Sequence, residues 1–194
     1  MTLLIAGLVL FIGVHSISIV NRPWRDRVAA RVGEGPWRGV YSLIALAGFV
    51  LIVWGYVVAR REPIILYVPP LWLRDVTLVL MLPVFPLLFA AHLPGRIKAA
   101  TKHPMLLATK IWALAHLLAN GTLADVLLFG GLLIWAGVDR ISAKRRNQQP
   151  SHTAPPAPRN DVLAVVIGLA VYFALVLGGH RWLFGLPASR WTWF

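Results

Sequence analysis

The chain has 194 residues, of which 58% are apolar and only 13% charged, with a formal net charge of +12 and a mean hydropathy of +0.71. Soluble domains carry about 25% charged and about 45–50% apolar residues even with glycine counted as apolar, so an ordinary soluble domain is excluded. Cysteine is absent, which removes disulfides, iron–sulfur clusters, thiolate nucleophiles and cysteine-ligated zinc.

A helix needs about 20 residues at 1.5 Å rise to cross the roughly 30 Å hydrocarbon core of a bilayer. Six apolar runs approach that length, at 2–20, 38–59, 76–92, 104–120, 123–138 and 162–180, the third to fifth being short. The expected fold is therefore all-α, a polytopic bundle of six membrane-spanning helices whose backbone polar groups are satisfied within the helices. The first run lacks the basic leader and small-residue cleavage site of a secretory signal, so it is expected to be retained. The connections are too short for a second domain, and 1–194 reads as one transmembrane unit in contact with lipid, without an obvious internal repeat. Pro83 and Pro86 in MLPVFPLL each remove a backbone donor and should kink the third helix, freeing carbonyls and opening room for a pocket.

Apart from Lys110, inside the fourth run, the 19 Lys and Arg residues lie between the runs or at their edges rather than in one patch with interleaved aromatics, which argues against nucleic acid. Thirteen fall on the side of the first, third and fifth connections, beginning with Arg22, Arg25, Arg27, Arg31 and Arg38, and five on the other. The positive-inside rule then predicts an inner-membrane protein with both termini periplasmic, and Trp182, Trp191, Trp193 and Phe194 as an aromatic anchor. Residues 142–160, SAKRRNQQPSHTAPPAPRN, bury too little apolar surface to offset ordering entropy and read as a flexible linker, in which His152 has no expected role.

The seven acids, Asp26, Glu34, Glu62, Asp75, Asp125, Asp139 and Asp161, all lie outside the apolar runs or at their edges. Buried carboxylate chemistry and an acidic proton relay are accordingly not expected. Histidine is the remaining chemistry: His15, His92, His103, His116 and His180 lie in or beside the runs, and imidazole suits metals and haem iron. His15, in FIGVHSISIV, is deep enough that an unpartnered ring would be penalised. In TKIWALAHLLANG, helical rotation places Thr109, Trp112, His116 and Asn120 within about 40° of a common stripe; a helix–helix hydrogen bond from His116 would explain it equally well. His103 and Lys110 form a second basic stripe suited to a carboxylate or phosphate, or to plain snorkelling at the interface. His92 and His180 read as interfacial.

The stretches KHPMLLATKIWALAHLLANG, RVGEGPWRGVYSLIALAGFVLIVWGY, FIGVHS and GHRWLFG together resemble the NnrU family of membrane proteins, over most of the chain apart from the linker. That family is associated with nitrite and nitric oxide reduction and includes zeta-carotene isomerase, a haem b enzyme. The resemblance implies haem b between two histidines, which by motif are His15 and His116, with Lys110 near the propionates. His15 paired with His92 or His103 is the alternative, because all three lie toward the inner side. The isomerase carries a cysteine where Ala113 stands, so ligand switching to sulfur has no counterpart here. The implied partners are an apolar polyene substrate entering from lipid or a respiratory nitrogen-oxide reductase complex. Two other readings stay open: a membrane methyltransferase, from the short similarity at Lys102, His103 and Pro104, and a non-enzymatic assembly factor.

Overall fold

The computed structural model describes residues 1–145 and 157–188. Five helices are long and apolar enough to cross a membrane: Thr2–Val20, Glu34–Ala59, Trp72–His92, Leu123–Arg145 and Pro158–Phe184. The remaining expected span, the fourth in chain order, is an apolar helix of 16 residues, Pro104–Ala119, about 24 Å long at 1.5 Å per residue and so shorter than a typical hydrocarbon core. The protein is a multi-pass membrane bundle of five long helices and one short one.

Helix α1 (Thr2–Val20) runs into α2 (Arg22–Val32), a polar helix where the sequence suggested a plain loop. Asn21 starts α2 by accepting a hydrogen bond from the Trp24 backbone N–H at 3.0 Å, the usual task of an asparagine at that position. Gly33, at φ 92, turns the chain into α3 (Glu34–Ala59). The α1–α3 pairing is the most extensive in the molecule. It rests on Gly7, Gly48 and Gly55, whose missing side chains let the two backbones touch, as small residues do in membrane helix pairs.

The third span is broken as its prolines require, into α4 (Trp72–Met81) and α5 (Val84–His92). The Leu82 N–H closes a tight turn onto the Val79 carbonyl at 3.2 Å, and the Leu78 carbonyl instead accepts the Tyr172 hydroxyl at 3.0 Å from another helix. A short helix, α6 (Arg96–Thr101), leads to α7 (Pro104–Ala119). Because α7 is short, its last carbonyls would be left without partners in the membrane. Tyr67, from the connection after α3, shares its single hydroxyl proton between the carbonyls of Leu117 and of Asn120, the latter at 2.7 Å. Burial and the nearby Asp125 charge push this phenol above its ordinary value of 10.0. The same connection docks on the start of the next span through Leu66 and Tyr67 N–H bonds to the Gly121 carbonyl, at 2.9 and 3.1 Å.

The fifth span begins with α8 (Leu123–Asp125), widens into a π-helical turn at Val126–Gly130 and continues as α9 (Gly131–Arg145). The last comprises α10 (Pro158–Ala174), a second π-helical turn at Leu175–Gly179 and α11 (His180–Phe184). Helix therefore extends into both edges of the expected 142–160 linker: α9 continues through Arg145 and α10 starts at Pro158. The rest of that segment, with His152, lies outside the described residues, as do Trp191, Trp193 and Phe194; Trp182 is exposed.

Connections expected on one side do meet. The Asp161 carboxylate at the start of α10 accepts the Arg96 and Ile97 N–H groups at 2.9 and 3.0 Å and so caps α6 from another helix. Replacing Asp161 by alanine should destabilise that end by about 1 kcal/mol, as for other lost caps, read as faster hydrogen exchange at Arg96 and Ile97. At the opposite end, Arg60 donates to the Phe184 carbonyl at 3.4 Å.

Candidate functional site

A cavity of about 180 Å³ lies at the end of the bundle opposite the arginine-rich helix α2, between α4, α5, α7 and the last span. Its polar wall is Arg74, Thr77, His116, Asn120, Tyr172 and His180; Met81, Phe85 and Val176 are among its apolar side chains. Most polar groups are already committed to the scaffold. Thr77 Oγ1 lies 2.9 Å from the Leu73 carbonyl and 2.8 Å from that of Ala115. The Asn120 amide donates to the His116 carbonyl at 2.8 Å.

The two histidines are held alike. His116 Nδ1 is 2.8 Å from the Trp112 carbonyl, one helical turn back, and His180 Nδ1 is 2.7 Å from the Leu186 carbonyl. A carbonyl oxygen only accepts, so each neutral ring carries its proton on Nδ1 and keeps a lone pair on Nε2. That is the tautomer of a metal-ligating histidine with a carbonyl behind it. The two π-helical turns border this place. Phe129, in the first, stacks on the His116 ring at 4.7 Å, while Leu175 and Val176, in the second, line the cavity. A wider turn rotates everything after it, and such turns are frequent at functional sites. The second includes Gly178 at φ 152, a conformation that side-chain-bearing residues rarely adopt, and leads directly to His180.

His15 lies elsewhere. Its Nδ1 is 2.7 Å from the Phe11 carbonyl, and its ring contacts Phe11, Tyr41 and Trp135 at 4.2, 5.3 and 5.7 Å between centroids. His15 is not in the lining of the His116 cavity. The rings against His15 and His116, Trp135 and Phe129, are six residues apart, about 9 Å along a helix. Trp135 Nε1 is the one buried side-chain polar atom among the described residues without a hydrogen-bond partner. His103 is the residue preceding α7 and His92 ends α5, exposed at the arginine-rich end. Lys110 is half-buried in α7 and is not in the cavity lining; Arg74 is the cation there. Among the described residues no group of three or more His, Asp or Glu side chains could hold a metal ion. Any metal held by imidazole here would have at most two such ligands.

Of the expected stripe on α7, Trp112, His116 and Asn120 are joined by the hydrogen bonds above, whereas Thr109 bonds only back to Met105 at 3.0 Å. Arg74, by sequence only one of the charges that set topology, and His180, expected to be interfacial, also line this cavity.

The expectation that no carboxylate is buried is corrected by Asp125, which is 3% exposed. It accepts the Tyr56 hydroxyl at 2.5 Å and the Thr122 N–H and hydroxyl at 2.9 and 2.6 Å, so that it caps its own helix while anchoring α3. Tyr56 and His116 pack on different parts of Phe129, with ring centroids at 6.2 and 4.7 Å. Asp125→Ala would leave these donors without a partner and should cost about 2–4 kcal/mol, measured as a lowered unfolding midpoint in detergent.

The family model for NnrU protein matches residues 3–188, nearly the whole chain. The chain belongs to the NnrU family. No curated protein and no solved structure was matched. NnrU membership covers every element described above, including both histidines of the cavity.

Proposed function

We propose that this NnrU-family protein holds haem b at the cavity between His116 and His180, and uses it for redox-linked chemistry in an inner membrane with both termini periplasmic. The observation that supports this reading is the shared cavity, into whose lining two histidines on separate helices bring the same tautomer. The donor chemistry fits: each Nδ1–H bond fixes its ring and makes Nε2 more basic, Arg74 offers a cation for a carboxylate, and Met81, Phe85 and Val176 form an apolar lining. The volume fits in part, because about 180 Å³ is below the roughly 300–1,000 Å³ of typical ligand sites, so a macrocycle would protrude from it. Haem, when bound, would supply an iron whose potential is tuned by the imidazoles that hold it and by burial.

Ala113, fully buried on α7, offers no sulfur as an alternative ligand, so the residues favour fixed imidazole ligation. The family association suggests either a reductase complex of nitrogen-oxide respiration as partner or an apolar polyene as substrate. The test is the absorption spectrum of detergent-purified protein made in haem-replete cells. An intense Soret band with sharp low-spin bands on reduction is expected; protein without haem under those conditions overturns the proposal and favours an assembly factor or a methyltransferase.

A further inference from the structure

A second cavity, of about 270 Å³, lies at the arginine-rich end between the last turn of α1, α2 and the start of α3, lined by Ile17, Ser18, Arg25, Trp37, Arg38 and Tyr41. Its two guanidinium groups come from different helices and are bracketed by one carboxylate: Glu34 lies 3.7 Å from Arg25 Nη1 and 3.4 Å from Arg38 Nε. Asp26 takes a further bond from Arg25 Nη1 at 3.0 Å. A guanidinium has five N–H donors in a planar fork, so these contacts orient the pair and leave donors on both. Five arginines stand against two carboxylates over residues 22–38, leaving the region cationic. Tyr41 stands at the cavity wall, its ring resting on His15 at 5.3 Å.

We propose that this cavity binds the phosphate of an anionic phospholipid headgroup, with Arg25 and Arg38 as the paired cations and Tyr41 as a neutral donor. A forked guanidinium matches phosphate oxygens better than an ammonium does. The lipid source is favoured by position, because the cavity lies where a membrane-spanning pair joins a polar helix, and Trp24 and Trp37 pack edge-on at 6.1 Å beside it. Tryptophans of this kind sit at headgroup level. The site is independent of the histidine cavity, and its failure would leave the haem reading untouched.

Native mass spectrometry of the protein in detergent, titrated with phosphatidylglycerol or phosphatidylcholine, tests it. Phosphatidylglycerol should bind preferentially, and Arg25→Gln with Arg38→Gln should weaken it roughly thirty-fold, the effect of two interfacial arginines. Arg27→Gln with Arg31→Gln, an equal charge loss outside the cavity lining, removes only long-range attraction, which salt screens beyond a Debye length of about 8 Å, and should change it by no more than roughly three-fold. Tyr41→Phe, which keeps both charges and the ring, should cost about five-fold, one hydrogen bond. Equal weakening by both arginine pairs, or equal binding of the two lipids, overturns the proposal. Displacement of the lipid by inorganic phosphate assigns the site to a free anion and also overturns it.

Discussion

Replacing Gly55 by leucine is expected to separate α1 from α3 and destabilise the bundle by at least about 3 kcal/mol, at or beyond the upper end for overpacking. A Cβ at this position would stand 2.3 Å from the Leu4 nitrogen and 2.7 Å from the Leu3 carbonyl carbon, both backbone atoms that no rotamer change can move. Gly7 faces the Ile52 nitrogen in the same way at 2.5 Å, so the contact is made from both helices. In lipid, where apolar burial between helices gives little driving force, close backbone approach is itself the source of association. Gly137→Leu is the control, because nothing lies within 4 Å of its Cβ position. The measurement is the fraction of monodisperse protein recovered after heating in detergent, which should fall sharply for Gly55→Leu and stay near the parent for Gly137→Leu.

Replacing His116 by alanine is the second large effect, and it is expected on cofactor rather than on fold. The ring is held between the Trp112 carbonyl and the face of Phe129, so its Nε2 is presented without further ordering cost, the condition under which a ligand binds tightly. Losing a supporting hydrogen bond behind a metal ligand typically costs about 10–100-fold in affinity, and losing the ligand itself should cost at least as much. Haem content should therefore drop roughly ten-fold or more by the same measure. His116→Gln, closer to histidine in volume, should retain the fold and show the same loss, separating ligation from packing.

The membrane architecture was legible because hydropathy and helix length are local properties: all six runs became helices, and Pro83 broke the third where its missing N–H demanded. The freed Leu78 carbonyl found its partner in the bundle, though nothing local named Tyr172, 94 residues away. Asp125 was misread for the same reason. It stands at the edge of an apolar run, and its burial depends on Tyr56, 69 residues earlier. The polar helix α2 was hidden by its low hydropathy, although Asn21, Pro23 and Gly33 are ordinary start and stop signals. At the candidate site, His116 stood out from its own helical stripe, while His180 looked interfacial because the turn that folds Leu186 back onto its ring is not a periodic feature. Arg74 likewise acquires its place only when α4 packs beside α7 and the last span.

Ligation by His116 and His180 is tested most directly by the oxidised and dithionite-reduced absorption spectra of three single variants, His15→Ala, His116→Ala and His180→Ala, each purified from haem-replete cells beside the parent. With haem held by His116 and His180, the low-spin reduced bands collapse in His116→Ala and in His180→Ala and persist in His15→Ala. Collapse in His15→Ala with parent-like bands in His180→Ala would contradict it, and would place the cofactor beside Tyr41 and Trp135 instead.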